Sequence, residues 1–69
     1  MTQCEEILEY MRENGSITPL EALAEIGCMR LASRISELKE AGVKISKTRV
    51  PFKTRYGRKS GYARYRLEE

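Results

Sequence analysis

The stretch "IGCMRLASRISELKEAG", residues 26–42, decides how the rest of the chain is read. Gly27 marks a turn. From Met29 to Ala41 the apolar residues Leu31, Ile35 and Leu38 gather on one face of a helix. Gly42 supplies the stop. The opposite side holds Met29, Arg30, Ser33, Ser36, Glu37 and Glu40, with Arg34 on a flank. The pattern predicts a helix over 29–41 that closes a core with one face. Its other face is polar, and small-residued near its start.

Upstream, "TQCEEILEYMRENG" has apolar residues at 4, 7, 8 and 11, the i, i+3, i+4, i+7 spacing of an amphipathic helix over 2–14. Thr2 with Glu5 forms a capping box, and Gly15 ends the helix. Its outward face is Glu5, Glu6, Glu9 and Glu13. A second, short helix over 19–25 begins at the Thr18 cap, with Pro19 at its first position and Glu21 completing Thr-x-x-Glu. Leu20, Leu23 and Ala24 are expected to face inward, and Ile17 to add an extended residue to a sheet. The expected core joins Leu31, Ile35 and Leu38 to Leu8, Leu23 and Leu67. Tyr10 and Tyr65 also suit it.

Downstream, "VKISKTRV" alternates, Val43 and Ile45 inward and Lys44 and Ser46 outward. "YARYRL" alternates as well, with Ala63, Tyr65 and Leu67 on one face and Tyr62, Arg64 and Arg66 on the other. Two such strands make an antiparallel hairpin over 43–67. The connection, "PFKTRYGRKS", is expected to be a long loop over 51–60. Long loops in small domains are commonly functional. This one carries Lys53, Arg55, Arg58 and Lys59, with Phe52 and Tyr56 between them.

The net charge of +3 hides a strong asymmetry. Residues 1–42 hold four basic side chains against eight glutamates, a net −4. Residues 43–67 hold nine basic side chains and no acid, a net +9, and Glu68 and Glu69 follow. A solubility surface mixes signs. A stretch of one sign raises a positive potential and points to a polyanion.

The sequence also narrows the alternatives. At 69 residues the chain is one domain, read as 1–69, with a marginal core. No apolar run approaches a membrane span, and the acidic N-terminus is unlike a signal peptide, so the protein is read as intracellular, with no membrane partner. Cys4 and Cys28 cannot complete a zinc site, and no Cys-x-x-Cys is present. They are read as small apolar core residues. No cofactor or metal is expected. Histidine, the commonest general base, is absent, and no pair of Glu, Lys or Tyr stands out as a catalytic substitute, so no enzyme activity is expected.

Three helices followed by a hairpin, with a tight turn between the second and third, is the winged helix-turn-helix order, an α+β fold with a C-terminal β-hairpin wing. The runs "ITPLEALAEIGCMRLASRISELKEAGVKI" and "RYGRKSGYARYRL" resemble the small winged helix-turn-helix proteins of bacteriophages and prophages. Ile17, Glu21, Ala22, Gly27, Arg30, Leu31, Arg34, Ile35, Leu38, Gly42 and Ile45 sit at matching positions, and the likeness spans about residues 5–67. The segment between the turn glycine and the closing Leu-x-x-x-Gly is shorter here than in the more familiar bacterial winged regulators.

The resemblance implies a double-stranded DNA-binding regulator, whether repressor, excisionase-like factor or another kind. Helix three would enter the major groove, with long Arg30 reaching bases and short Ser33 letting the backbone approach. Glu37 and Glu40 would repel phosphates, which restricts the approach to the N-terminal half of that helix. Arg34 either pairs with Glu37 at i+3 or clamps the backbone. The expected DNA-binding set is Arg30, Ser33, Arg34, Lys47, Arg49, Lys53, Arg55, Arg58, Lys59 and Arg64. A homodimer on DNA is left open. Two other classes stay open as well. One is a phage factor that inhibits or recruits a host protein. The other is a single-strand or RNA binder stacking bases on Tyr56 and Tyr62.

Overall fold

Both helix starts form as their capping residues dictate. In the computed structural model, which describes residues 2–68, α1 spans Gln3–Asn14. The Thr2 hydroxyl accepts the Glu5 amide at 3.2 Å, and the Glu5 carboxylate accepts the Thr2 amide in return. Gly15, with φ of 86°, ends the helix. β1, Ser16–Ile17, follows, and then α2, Pro19–Glu21. The Thr18 amide donates to the Glu21 carboxylate at 2.9 Å, and the Glu21 amide to the Thr18 hydroxyl at 3.3 Å.

α2 does not continue as an α-helix. Ala22–Ile26 forms a single π-helical turn, ended by Gly27 in the left-handed conformation at φ 77°. A π turn is wider than the α turn assumed by the 3.6-residue period. The inward face also differs from the expected one, since it runs through Ala22 and Ile26, four residues apart. Ala22 is fully buried and Ile26 packs on the core, while Leu20, Leu23 and Ala24 are exposed.

α3, Leu31–Glu40, is shorter than the helix expected over 29–41, because Met29 and Arg30 belong to the turn. Leu31, Ile35 and Leu38 are its buried face. They pack with Ile7, Met11, Ile17, Ala22, Cys28, Ile45 and Tyr65 in one core, and Leu67 lies against it. Leu8 is only half-buried, since the core face of α1 runs through Ile7 and Met11 instead. Cys28 is buried, as expected for a small apolar residue, but Cys4 is half-buried and engaged in a polar contact described below.

The sheet has three strands in the order β1-β3-β2, all antiparallel, rather than a two-stranded hairpin alone. β2 is Ile45–Lys53 and β3 is Lys59–Leu67. Ile17 pairs with Tyr65, so the short β1 ties the base of the ribbon to the helices. The strands run much further than expected, and the loop over 51–60 shrinks to residues 54–58. Pro51 does not interrupt β2 because β2 is an edge strand, where a missing N–H is tolerated. The turn closes through Gly57, at φ 83°. The Thr54 amide donates to the Arg58 carbonyl at 2.8 Å and the Gly57 amide to the Thr54 carbonyl at 2.9 Å.

Candidate nucleic-acid interface

In the ribbon, side chains alternate between two faces, and cross-strand partners share a face. Ile45 pairs with Leu67, Lys47 with Tyr65, Arg49 with Ala63, Pro51 with Gly61 and Lys53 with Lys59. One face is therefore apolar at its base, where it covers the core, and cationic beyond it. Lys47, Arg49, Lys53 and Lys59 all stand on that face and all are exposed. The Arg49 guanidinium lies across Gly61, where a Cβ would come within 2.6 Å of its Nε. A shallow concavity of about 260 Å³ is lined by Lys47, Arg49, Ser60, Gly61, Tyr62 and Ala63.

Lys53 and Lys59 are direct cross-strand partners. Like charges in that position destabilise a sheet. Among the described residues no carboxylate pairs with either, and residues 43–67 contain none. The loop between them adds Arg55 and Arg58, both exposed. The Thr54 hydroxyl accepts the Arg58 amide at 3.1 Å, which closes the tip further. Tyr56 is 88% exposed there, with the Arg55 guanidinium carbon 5.8 Å from its ring centre.

The other expected residues divide. Arg30 is the N-cap of α3 rather than part of its first turn, and it is exposed. Its carbonyl accepts the amides of Ser33 at 3.1 Å and Arg34 at 3.3 Å, but no side chain caps the helix. Open amides at a helix start attract anions. Ser33 is half-buried in the first turn of α3. Arg64 is half-buried on the other face of the ribbon, opposite Thr48, with its Nε shut off from solvent and unpaired among the described residues.

Arg34 is engaged on the surface of the helical body, its side chain about one-third exposed. Its Nη1 lies 2.7 Å from the Glu37 carboxylate. That carboxylate also accepts the Cys4 thiol of α1 at 3.2 Å, so the three groups join α1 to α3. The hydrogen bond from Cys4, with the Arg34 charge, holds the Glu37 carboxyl below its ordinary range. Burial and the Glu37 carboxylate push the Cys4 thiol up, which keeps it a donor. Arg34 thus makes the i+3 pairing with Glu37, one of the two roles expected for it.

The cross-strand lysine pair was not legible while 51–60 was read as a loop. The signal was Gly57, which alone suffices for a tight turn and leaves the flanking residues free to pair. Lys44 and Arg66 at the ribbon base are also exposed, Arg66 on the face that carries Arg64.

No curated protein and no solved structure matches the chain. The winged helix-turn-helix domain family model matches residues 2–69, and with three helices, a tight turn before α3 and a three-stranded sheet ending in a ribbon, the chain belongs to that family.

Proposed function

We propose that this protein binds double-stranded DNA as a phage or prophage regulator, without catalysis, in the cytoplasm of its bacterial host. The start of α3 approaches the major groove through Arg30 and Ser33. The ribbon follows the phosphate backbone with Lys47, Arg49, Lys53, Arg55, Arg58 and Lys59. Arg34 acts indirectly, by fixing α3 against α1, and Arg64 contributes to the field of the ribbon. The observation that carries the reading is the Lys53–Lys59 pair, two like charges opposed across a ladder with no acid in residues 43–67. A polyanion removes that repulsion. Phosphate contacts then supply affinity, and the few contacts from α3 supply preference. The phage assignment rests on the resemblance in sequence.

The test is a duplex titration at several salt concentrations, with Lys53, Arg55, Arg58 and Lys59 replaced together by Ala. Each neutralised phosphate adds about 0.9 to the slope of log affinity against log salt, so the replacement flattens the slope by about 3 to 4 units. Binding weakens on all sequences while the melting temperature holds. Equal binding by both proteins, or no duplex binding at any salt, would sink the reading. The exposed Tyr56 beside Arg55 favours a second reading, stacking on single strands. Competition between duplex and single strand in the same titration separates the two.

A further inference from the structure

Four of the five glycines have positive φ, and a Cβ on any of those four would meet nothing within 4 Å. Gly61 is the reverse. Its φ is not positive, so the backbone itself does not call for glycine there. Glycine inside a strand weakens it, and it commonly marks a close approach of another group. Gly61 lies within β3, the central strand of the sheet. What approaches it is Arg49. A Cβ on Gly61 would stand 2.6 Å from the Arg49 Nε, 3.1 Å from Nη2 and 3.2 Å from Cζ, so the guanidinium occupies the space a side chain would take. Arg49 reaches it along the cross-strand diagonal, since its direct partner is Ala63 and Gly61 stands opposite Pro51.

We propose that Gly61 is a positioning residue, which seats the Arg49 guanidinium on the ribbon as a fork aimed at a phosphodiester of the duplex. The inference rests on the duplex-binding reading and deepens it, by singling out one cation and the uncharged residue that sets it. Among the described residues no carboxylate pairs with Arg49, and residues 43–67 hold no acid. The guanidinium is therefore seated by shape rather than by charge, and its charge stays uncompensated. A guanidinium presents its N–H groups in a rigid plane that fits two phosphate oxygens at once. Fixing that plane beforehand lowers the ordering cost of binding. The neighbours on this face do not share the property. Arg49 is its one arginine, and Lys47, Lys53 and Lys59 carry point charges on flexible stems. The lysines add attraction with little direction, and Arg49 supplies the direction.

The test is a duplex titration at one salt concentration, with the full chain and four variants: Gly61→Ala, Arg49→Ala, Arg49→Lys, and Gly61→Ala with Arg49→Ala together. Gly61→Ala removes no charge, yet it should weaken binding about three- to tenfold by displacing the guanidinium. Arg49→Ala should weaken it about tenfold. Arg49→Lys keeps the charge without the plane and should lose several-fold. With Arg49 already replaced by Ala, Gly61→Ala should cost nothing further, because the seat is then empty. The added methyl meets only the end of a flexible side chain, so Gly61→Ala should melt no lower than the wild type. Heteronuclear NMR of the free protein reads the seat directly. The Arg49 Nε–H signal should move toward that of a free arginine in Gly61→Ala, while the backbone signals of the ribbon hold. An unmoved Arg49 signal, or Gly61→Ala binding as tightly as the wild type, would remove the seat. A further loss from Gly61→Ala in the Arg49→Ala background would make the methyl itself the obstacle. Arg49→Lys binding like the wild type would reduce Arg49 to a point charge. Each of these overturns the proposal while the wild type still binds duplex, so the duplex-binding reading survives it. A wild type that binds no duplex overturns that reading, and this proposal with it.

Discussion

Residues 1–42 and residues 43–67 treat their charges differently. In the helical half Arg34 meets Glu37 at 2.7 Å and Arg12 lies 3.9 Å from Glu9. In the ribbon nine cations stand with no ion pair among the described residues, and two of them face each other across the ladder. Surface ion pairs stabilise little, so the difference is small in folding free energy. It is large in purpose. The helical half is held by apolar burial and pairs charges around that, whereas the ribbon is held by its ladder and pairs none of its cations with an acid among the described residues. A charge arrangement that the fold does not need is the clearest mark of an external partner.

The contrast predicts that damage to the two halves separates. The largest effect is expected from Leu38→Ala, which empties part of the core and should cost about 2–5 kcal/mol. In a domain this small that approaches the whole stability. Thermal melting reads it, and an unchanged melting temperature would place the core elsewhere. Arg30→Ala should leave melting unchanged and cost about 1–3 kcal/mol on a preferred duplex, with a smaller loss on random sequence. Equal losses on both would make Arg30 a phosphate contact.

A sharper version of the comparison is Lys53→Glu, which turns the opposed pair into an attractive one. Melting should show the ribbon stabilised by about 0.2–1 kcal/mol, while duplex binding weakens and its salt slope flattens. Stability and function then move in opposite directions from one substitution. If both fell together, the ribbon charges would have a structural task after all. The smallest effect belongs to Glu37. Its carboxyl is held below the ordinary range by Cys4 and Arg34. Its contribution is therefore fully present above the ordinary carboxylate range and is lost as pH falls through the lowered value. The melting difference between wild type and Glu37→Gln should be constant near neutral pH and vanish on acidification. A difference that persists in strong acid would assign the effect to packing.

Most of the frame was legible because its signals are local. Thr2 and Thr18 each have a glutamate three residues on, and both capping boxes form. Leu31, Ile35 and Leu38 recur at helical spacing, and all three are buried. The alternation of "YARYRL" places Tyr65 inward, as it is. The misreadings arise where two readings fit the same residues. Ala22 and Ile26 stand at helical spacing as well as Leu20, Leu23 and Ala24 do, and the larger leucines favour the wrong face. Pro51 and a run of polar residues resemble a loop, yet the edge position of β2 lets the strand continue through them. Which face of the ribbon carries the cations depended on that register. So did the pairing of Lys53 with Lys59.

The π turn over Ala22–Ile26 also has an evolutionary reading. Such a turn holds one residue more than the α turn it replaces. Removing one residue there would restore the regular helix and rotate everything after it by about 100° about the helix axis. Arg30 and α3 would then aim elsewhere. Substitutions within these five positions leave that direction in place, provided Ala22 stays small enough to be buried and Ile26 stays apolar. The length of the segment therefore matters more to the aim of α3 than its composition does, and a single insertion or deletion there would turn Arg30 toward a different surface.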